Sequence, residues 1–101
     1  MPKIFEYLGI IIMFYSNEHE PIHVHGKYHS LESKAEIIIE DGKIIAIKVK
    51  DAKGKKPLQH KELKEFSNFV DKFKEDIVQK WVDYFVYHKS IKCIKIEGRV
   101  K

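Results

Sequence analysis

Cysteine occurs once, at Cys93, so the chain can neither close an internal disulfide nor assemble a multi-thiolate zinc site. A lone thiol agrees with a reducing compartment. In a strand-like pattern Cys93 reads as a small buried hydrophobe rather than a nucleophile. After Met1-Pro2-Lys3-Ile4 there is neither an apolar core nor a small-residue cleavage site, so a secretory leader is not expected and the cytoplasm is. Arginine is equally scarce, Arg99 being the only one among 19 basic residues. Bidentate reading of guanine depends mainly on arginine, so sequence-specific DNA readout is not expected, while backbone contacts to RNA or DNA stay open. Long apolar runs are missing too. The longest, Leu8 to Tyr15, falls far short of the roughly 20 residues of a membrane helix, and no membrane partner is expected.

What is present is a soluble globular composition, 44% apolar and 34% charged, without repeats or low-complexity segments. At 101 residues the chain reads as a single domain, 1–101, burying roughly 60–70% of its unfolded surface around one core. The net charge of +4 and pI near 9.1 favour an acidic partner. Nineteen basic residues against fifteen acids nonetheless describe mostly solvated surface.

Lys3 to Tyr7 and Gly9 to Tyr15 carry the Ile, Phe and Tyr of strands, with a bend or bulge at Leu8-Gly9. Ile10 to Phe14, apolar at every position, suits a central strand covered at least partly on both faces. Ser33 to Val49 reads as a hairpin turning at Glu40-Asp41-Gly42. A three-residue loop with Gly42 left-handed would pair Ile37 with Ile45, Ala35 with Ile47 and Ser33 with Val49, giving a cleaner apolar face than a two-residue turn. Lys50 to Pro57 reads as a wet, mobile loop. Leu63, Phe66, Val70, Phe73, Ile77, Trp81 and Phe85 then recur at helical spacing, and no Gly or Pro interrupts 58–89. Unbroken, that helix would exceed about 40 Å. It therefore either overhangs and offers its stripe to a partner or a second copy, or bends near Lys74-Glu75-Asp76. Phe69, Val78, Val82 and Val86 beside the stripe would serve such docking if exposed. Ile91 to Glu97 reads as a last strand. The expected fold is α+β: an antiparallel sheet of five or six strands with one long or two consecutive C-terminal helices packed on one face.

Chemistry is concentrated in residues 19–29, which hold four of the six histidines. His19 sits in a turn before Pro21. Beyond it Ile22, Val24 and Tyr28 alternate with His23, His25, Lys27 and His29, so a strand would put apolar side chains on one face and titratable ones on the other, looking outward. Residues two apart on a strand lie roughly 6.5 Å apart, a spacing at which two imidazoles can hold one metal ion or one phosphate. Three readings follow. His19, His23 and His25 form a metal set, for zinc or another divalent transition metal, with water at an open position; a fourth ligand and outer support are what this set lacks, Glu18, Glu20 and Glu32 being only nearby in sequence. Alternatively His19, His23, His25 and Lys27 perform metal-free phosphodiester chemistry, one imidazole accepting the ribose 2′-hydroxyl proton, another protonating the leaving oxygen and Lys27 steadying the phosphate. In the third reading the imidazoles organise the loop and the domain is a binding module.

Met1-Pro2-Lys3-Ile4, Gly9-Ile10-Ile11-Ile12, and Tyr15 through Tyr28 with His19, Pro21, His23 and His25 resemble domain-of-unknown-function family 4160 of small bacterial proteins, as do Ile77 and Trp81 in the helix. Glu18 stands where that family usually has Asp, and Ile22 replaces its second Pro. The resemblance implies a neighbouring gene for a second small protein in a toxin-antitoxin-like arrangement, and hence a small protein partner; RNA enters only through the phosphodiester reading of the histidines.

Overall fold

Two-residue turns build most of the sheet. The computed structural model describes residues 2–14 and 22–100. Strands β1 (Lys3–Tyr7) and β2 (Ile10–Met13) are joined by Leu8-Gly9, both left-handed at φ 50° and 81°, the geometry whose twist matches a hairpin. β3 (Ile22–Tyr28) and β4 (Leu31–Glu40) are joined by His29-Ser30, with His29 at φ 56°. Asp41-Gly42, at φ 52° and 76°, leads from β4 into β5 (Lys43–Asp51). With β6 (Ile94–Ile96) the sheet has the order β5-β4-β3-β2-β1-β6. Only the β1–β6 pairing is parallel.

The β4–β5 register differs from the expected one. Asp41-Gly42 forms a two-residue turn that pairs Glu40 with Lys43 and Ile39 with Ile44, and a bulge then leaves Ile45 unmatched. Beyond it Ile37 pairs with Ile47, Ala35 with Val49 and Ser33 with Asp51. The extra residue needed to keep isoleucine opposite isoleucine is thus taken up inside β5 rather than in the turn. Ile45, on the edge strand, is 54% exposed. A second bulge lets Ile4 and Phe5, adjacent in β1, both enter the core.

Helices α1 (His60–Lys72) and α2 (Lys74–Phe85) lie on one face of the sheet. The periodic stripe is not a single helix: Phe73, at φ −107° and ψ 19°, separates the two while its backbone keeps helical bonds to Phe69 and Ile77. Its ring stacks on Phe69 at 4.5 Å and meets Phe5 at 5.5 Å. The break lets both halves follow the sheet, burying Phe66, Phe69, Val70, Ile77 and Trp81. The premise of an overhanging apolar helix fails, since Phe69 is buried, Val78 and Val82 are half-buried, and only Val86 of that set is exposed.

Two further expectations are corrected. Cys93 is exposed, because the last strand begins only at Ile94. The lysine-rich loop is docked by its backbone: Glu32 N–H donates to the Lys56 carbonyl at 2.8 Å and Leu58 N–H to the buried Ser33 hydroxyl at 3.0 Å. At the other end of the chain Tyr7 Oη receives the Val100 N–H at 2.8 Å and donates to Glu65 Oε2 at 3.2 Å, which also accepts from Arg99 Nε.

Gly26 lies directly under the α1 ring of Phe66. A Cβ there would lie 2.6 Å from two ring carbons of Phe66, so glycine is required for space. Gly26→Ala should cost about 1–3 kcal/mol by overpacking, a fall of roughly 4–8 °C in melting temperature per kcal/mol. Adding Phe66→Leu should recover part of that loss. An unchanged melting temperature in Gly26→Ala would show that the helix does not seat here.

Candidate functional site

Alternation in β3 divides the sheet as its residues require. Ile22, Val24 and Gly26 face the helices, while His23, His25 and Lys27 face away. Directly opposite residues in an antiparallel pair share a face, so β4 adds Glu36 opposite His23, Lys34 opposite His25 and Glu32 opposite Lys27. β2 adds Met13 opposite His25 and Ile11 opposite Lys27. Glu6 stands opposite Ile11 in turn, so the far face is a lattice of imidazoles, lysines and the carboxylates of Glu6, Glu32 and Glu36 around an apolar margin.

Its centre is not outward-looking as the alternation alone suggests. His25 is only 5% exposed and Glu32 only 2%. Glu32 reaches diagonally across the hairpin to place Oε2 3.0 Å from His25 Nδ1. An ionised carboxylate only accepts, so against one this contact places a proton on Nδ1, while Nε2 at the other end of the ring is buried. Glu32 is itself held by its backbone bond to Lys56 and by its place beside the buried Ser33. His23, half-buried, sets its ring 5.4 Å from that of His25, at 58°. A carboxylate-fixed imidazole beside a second imidazole is suited to proton transfer, and equally to presenting Nε2 to a metal.

Of the residues expected to form the site, His23, His25 and Lys27 come together on this face, Lys27 at its exposed end. His19, with Glu18 and Glu20, lies outside the described residues. Among the described residues no three His, Cys, Asp or Glu side chains converge as metal ligands. Glu32 is the member that sequence spacing ranked too low. The signal for it was Tyr28-His29-Ser30-Leu31, since a two-residue turn there puts Glu32 diagonal to His25. His60, at the start of α1, is exposed and remote in the fold from this face.

The neighbouring ion pair tunes the rim. Glu36 accepts from Lys50 Nζ at 2.9 Å, and that hydrogen bond is the main reason its carboxyl titrates below the usual glutamate value, with the Lys50, Lys34 and His23 charges adding to it and burial opposing. Because the folded value is the lower one, the pair stabilises the fold at pH above the ordinary glutamate range and that contribution is lost as pH falls through the folded value. Lys50 is half exposed, which limits the effect to about 0.2–1 kcal/mol.

Fold and face together define an α+β domain with a buried, carboxylate-backed His25 beside half-buried His23 on the sheet face turned away from the helices. The family described as Domain of unknown function (DUF4160) matches residues 9–82, and the chain belongs to it. The matched span runs from the β1–β2 turn through the histidine strand to α2, just past Trp81. No match is found among curated proteins or among solved structures. No helix among the described residues is long and apolar enough to cross a membrane.

Two substitutions probe the geometry through stability. Glu32→Ala should cost about 1.5–3 kcal/mol in urea unfolding, the range for a hydrogen bond to a charged group, and Glu32→Gln should cost less because the amide oxygen still accepts from Nδ1. Glu36→Gln should lower stability slightly at neutral pH and leave it unchanged at a pH below the folded-state value, where the carboxyl is protonated in both states. Equal losses at both pH values would contradict the assigned role of Lys50.

Proposed function

We propose that this domain is a component of a bacterial toxin-antitoxin-type module and that its histidine face acts on RNA by acid-base chemistry. The observation that carries the reading is the buried hydrogen bond from His25 Nδ1 to Glu32, with the His23 ring alongside. In the proposed reaction substrate uncovers His25 Nε2, which is buried in the free protein, and Nε2 then takes the proton of a ribose 2′-hydroxyl. The 2′-oxygen attacks phosphorus, the P–O5′ bond breaks, and protonated His23 gives its proton to the departing 5′-oxygen. Glu32 fixes the working tautomer of His25 and stabilises the imidazolium that forms. Lys27 steadies the negative phosphoryl oxygens. His23 is the outer imidazole, so substrate reaches the pair from its side and from Lys27. The chain's excess of lysine over acid favours a polyanion without base-specific reading. A small protein encoded alongside is the natural candidate to control such an activity.

The carboxylate-backed histidine also suits metal binding, in which His23 and His25, with His19, would hold zinc or a similar ion. Elemental analysis of untagged protein separates the two readings. Stoichiometric metal that is lost in His23→Ala and His25→Ala favours the metal site, and a metal-free protein leaves the acid-base one.

Cleavage of RNA should follow a bell-shaped pH profile, because one imidazole must be neutral while the other is protonated. His23→Ala and His25→Ala should each reduce the rate by about 10²-fold or more, and Lys27→Ala by less. Circular dichroism on the same variants checks that they fold. Undiminished cleavage by the folded histidine variants would refute the proposal.

A further inference from the structure

Beside the histidine pair lies a shallow hollow of about 250 Å³ lined by Lys3, Gly9, Ile11, Met13, Lys27 and His29. Register locates it. Met13 stands opposite His25, Ile11 opposite Lys27, and Lys3 opposite Met13, so the hollow begins one strand away from His25 and reaches the next. Adjacent strands lie about 4.8 Å apart, which puts Lys3 roughly 10 Å from His25 along that row. Its floor is apolar: Met13 is buried, Ile11 half-buried, and Gly9 has no side chain. Its rim is basic, made of Lys3, Lys27 and His29, all exposed, and among the described residues no carboxylate lines it, Glu6 standing just beyond it opposite Ile11.

Resting on the RNA reading of the same face, we infer that this hollow is the subsite for the nucleotide next to the scissile bond, its base lying on Ile11 and Met13 and its phosphate held by Lys3 and His29. An apolar floor offers a base π-face a surface that tolerates every base, and the Met13 thioether adds a favourable sulfur-aromatic contact. Lysine serves phosphate as a point charge and asks nothing of sequence. The occupant that fits is both flat and anionic. Inorganic phosphate would have no use for the floor, and an uncharged apolar ligand none for the rim. A-form duplex keeps its bases stacked inside, so the strand recognised is single.

A deoxydinucleotide monophosphate tests this apart from cleavage, since without a 2′-hydroxyl it cannot be cut by the proposed route. The Ile11 and Met13 methyl resonances of the full chain should shift saturably with this ligand at low salt. Inorganic phosphate at equal concentration should leave them in place. Lys3→Glu and His29→Glu, exposed substitutions that spare the core, should each weaken binding about fivefold or more, and Ile11→Glu should abolish it. Methyls that do not move, that move equally with phosphate, or an affinity unchanged in Lys3→Glu and His29→Glu would each overturn the subsite. Binding without RNA cleavage would leave the subsite standing and remove the catalytic reading, and histidine-dependent cleavage with silent methyls would do the reverse.

Discussion

Strand β3 must satisfy two environments at once, and the period-two alternation of its side chains is the constraint on which the rest depends. Ile22, Val24 and Gly26 supply the helix side, where Gly26 leaves room for the Phe66 ring. The intervening His23, His25 and Lys27 are thereby committed to the opposite face, and a slip of one residue would drive imidazoles into the core. The two-residue turn at His29-Ser30 then carries the same logic into β4, so that Ser33, Ala35 and Ile37 pack inward and Glu32, Lys34 and Glu36 join the histidines. One register thus fixes both the core and the composition of the candidate site.

The buried pair of His25 and Glu32 is costly to desolvate and is compensated by its own hydrogen bond and by the backbone that holds Glu32. A purely structural solution at this position would be met more cheaply by two apolar side chains. Retaining a titratable ring with a fixed tautomer, beside a second imidazole and a lysine rim, is the arrangement expected where protons are moved. It also explains the docking of the lysine-rich loop, whose Lys56 carbonyl anchors Glu32 while its side chains stay in solvent.

Strong periodicity was legible in the sequence and the strand bulges were not. The alternation of β3, the apolar run of β2 and the three-and-four stripe of the helices predict the α+β layers directly. A bend near Lys74-Glu75-Asp76 is one of the two expected outcomes for the stripe, and the break falls one residue earlier, at Phe73, whose ring stacks on Phe69 and meets Phe5. The β5 bulge at Ile45 satisfies both a two-residue Asp-Gly turn and an apolar face, demands that treated one at a time give the wrong register. Glu32 lies seven residues from His25 and is brought to it only by the hairpin. Burial of His25 was equally hidden, because alternation assigns a face and says nothing about what covers it. Cys93 was misjudged for a related reason, since β6 is shorter than the alternation around it suggests.

The His25–Glu32 contact assigns Glu32 to hold the proton on His25 Nδ1. Long-range ¹H–¹⁵N NMR of the imidazoles at a pH where His25 is neutral reads this directly. The account predicts a protonated Nδ1 and an unprotonated Nε2 for His25, with the tautomer becoming mixed in Glu32→Ala. A proton on Nε2 in the unmodified chain, or a tautomer indifferent to the loss of Glu32, would contradict it.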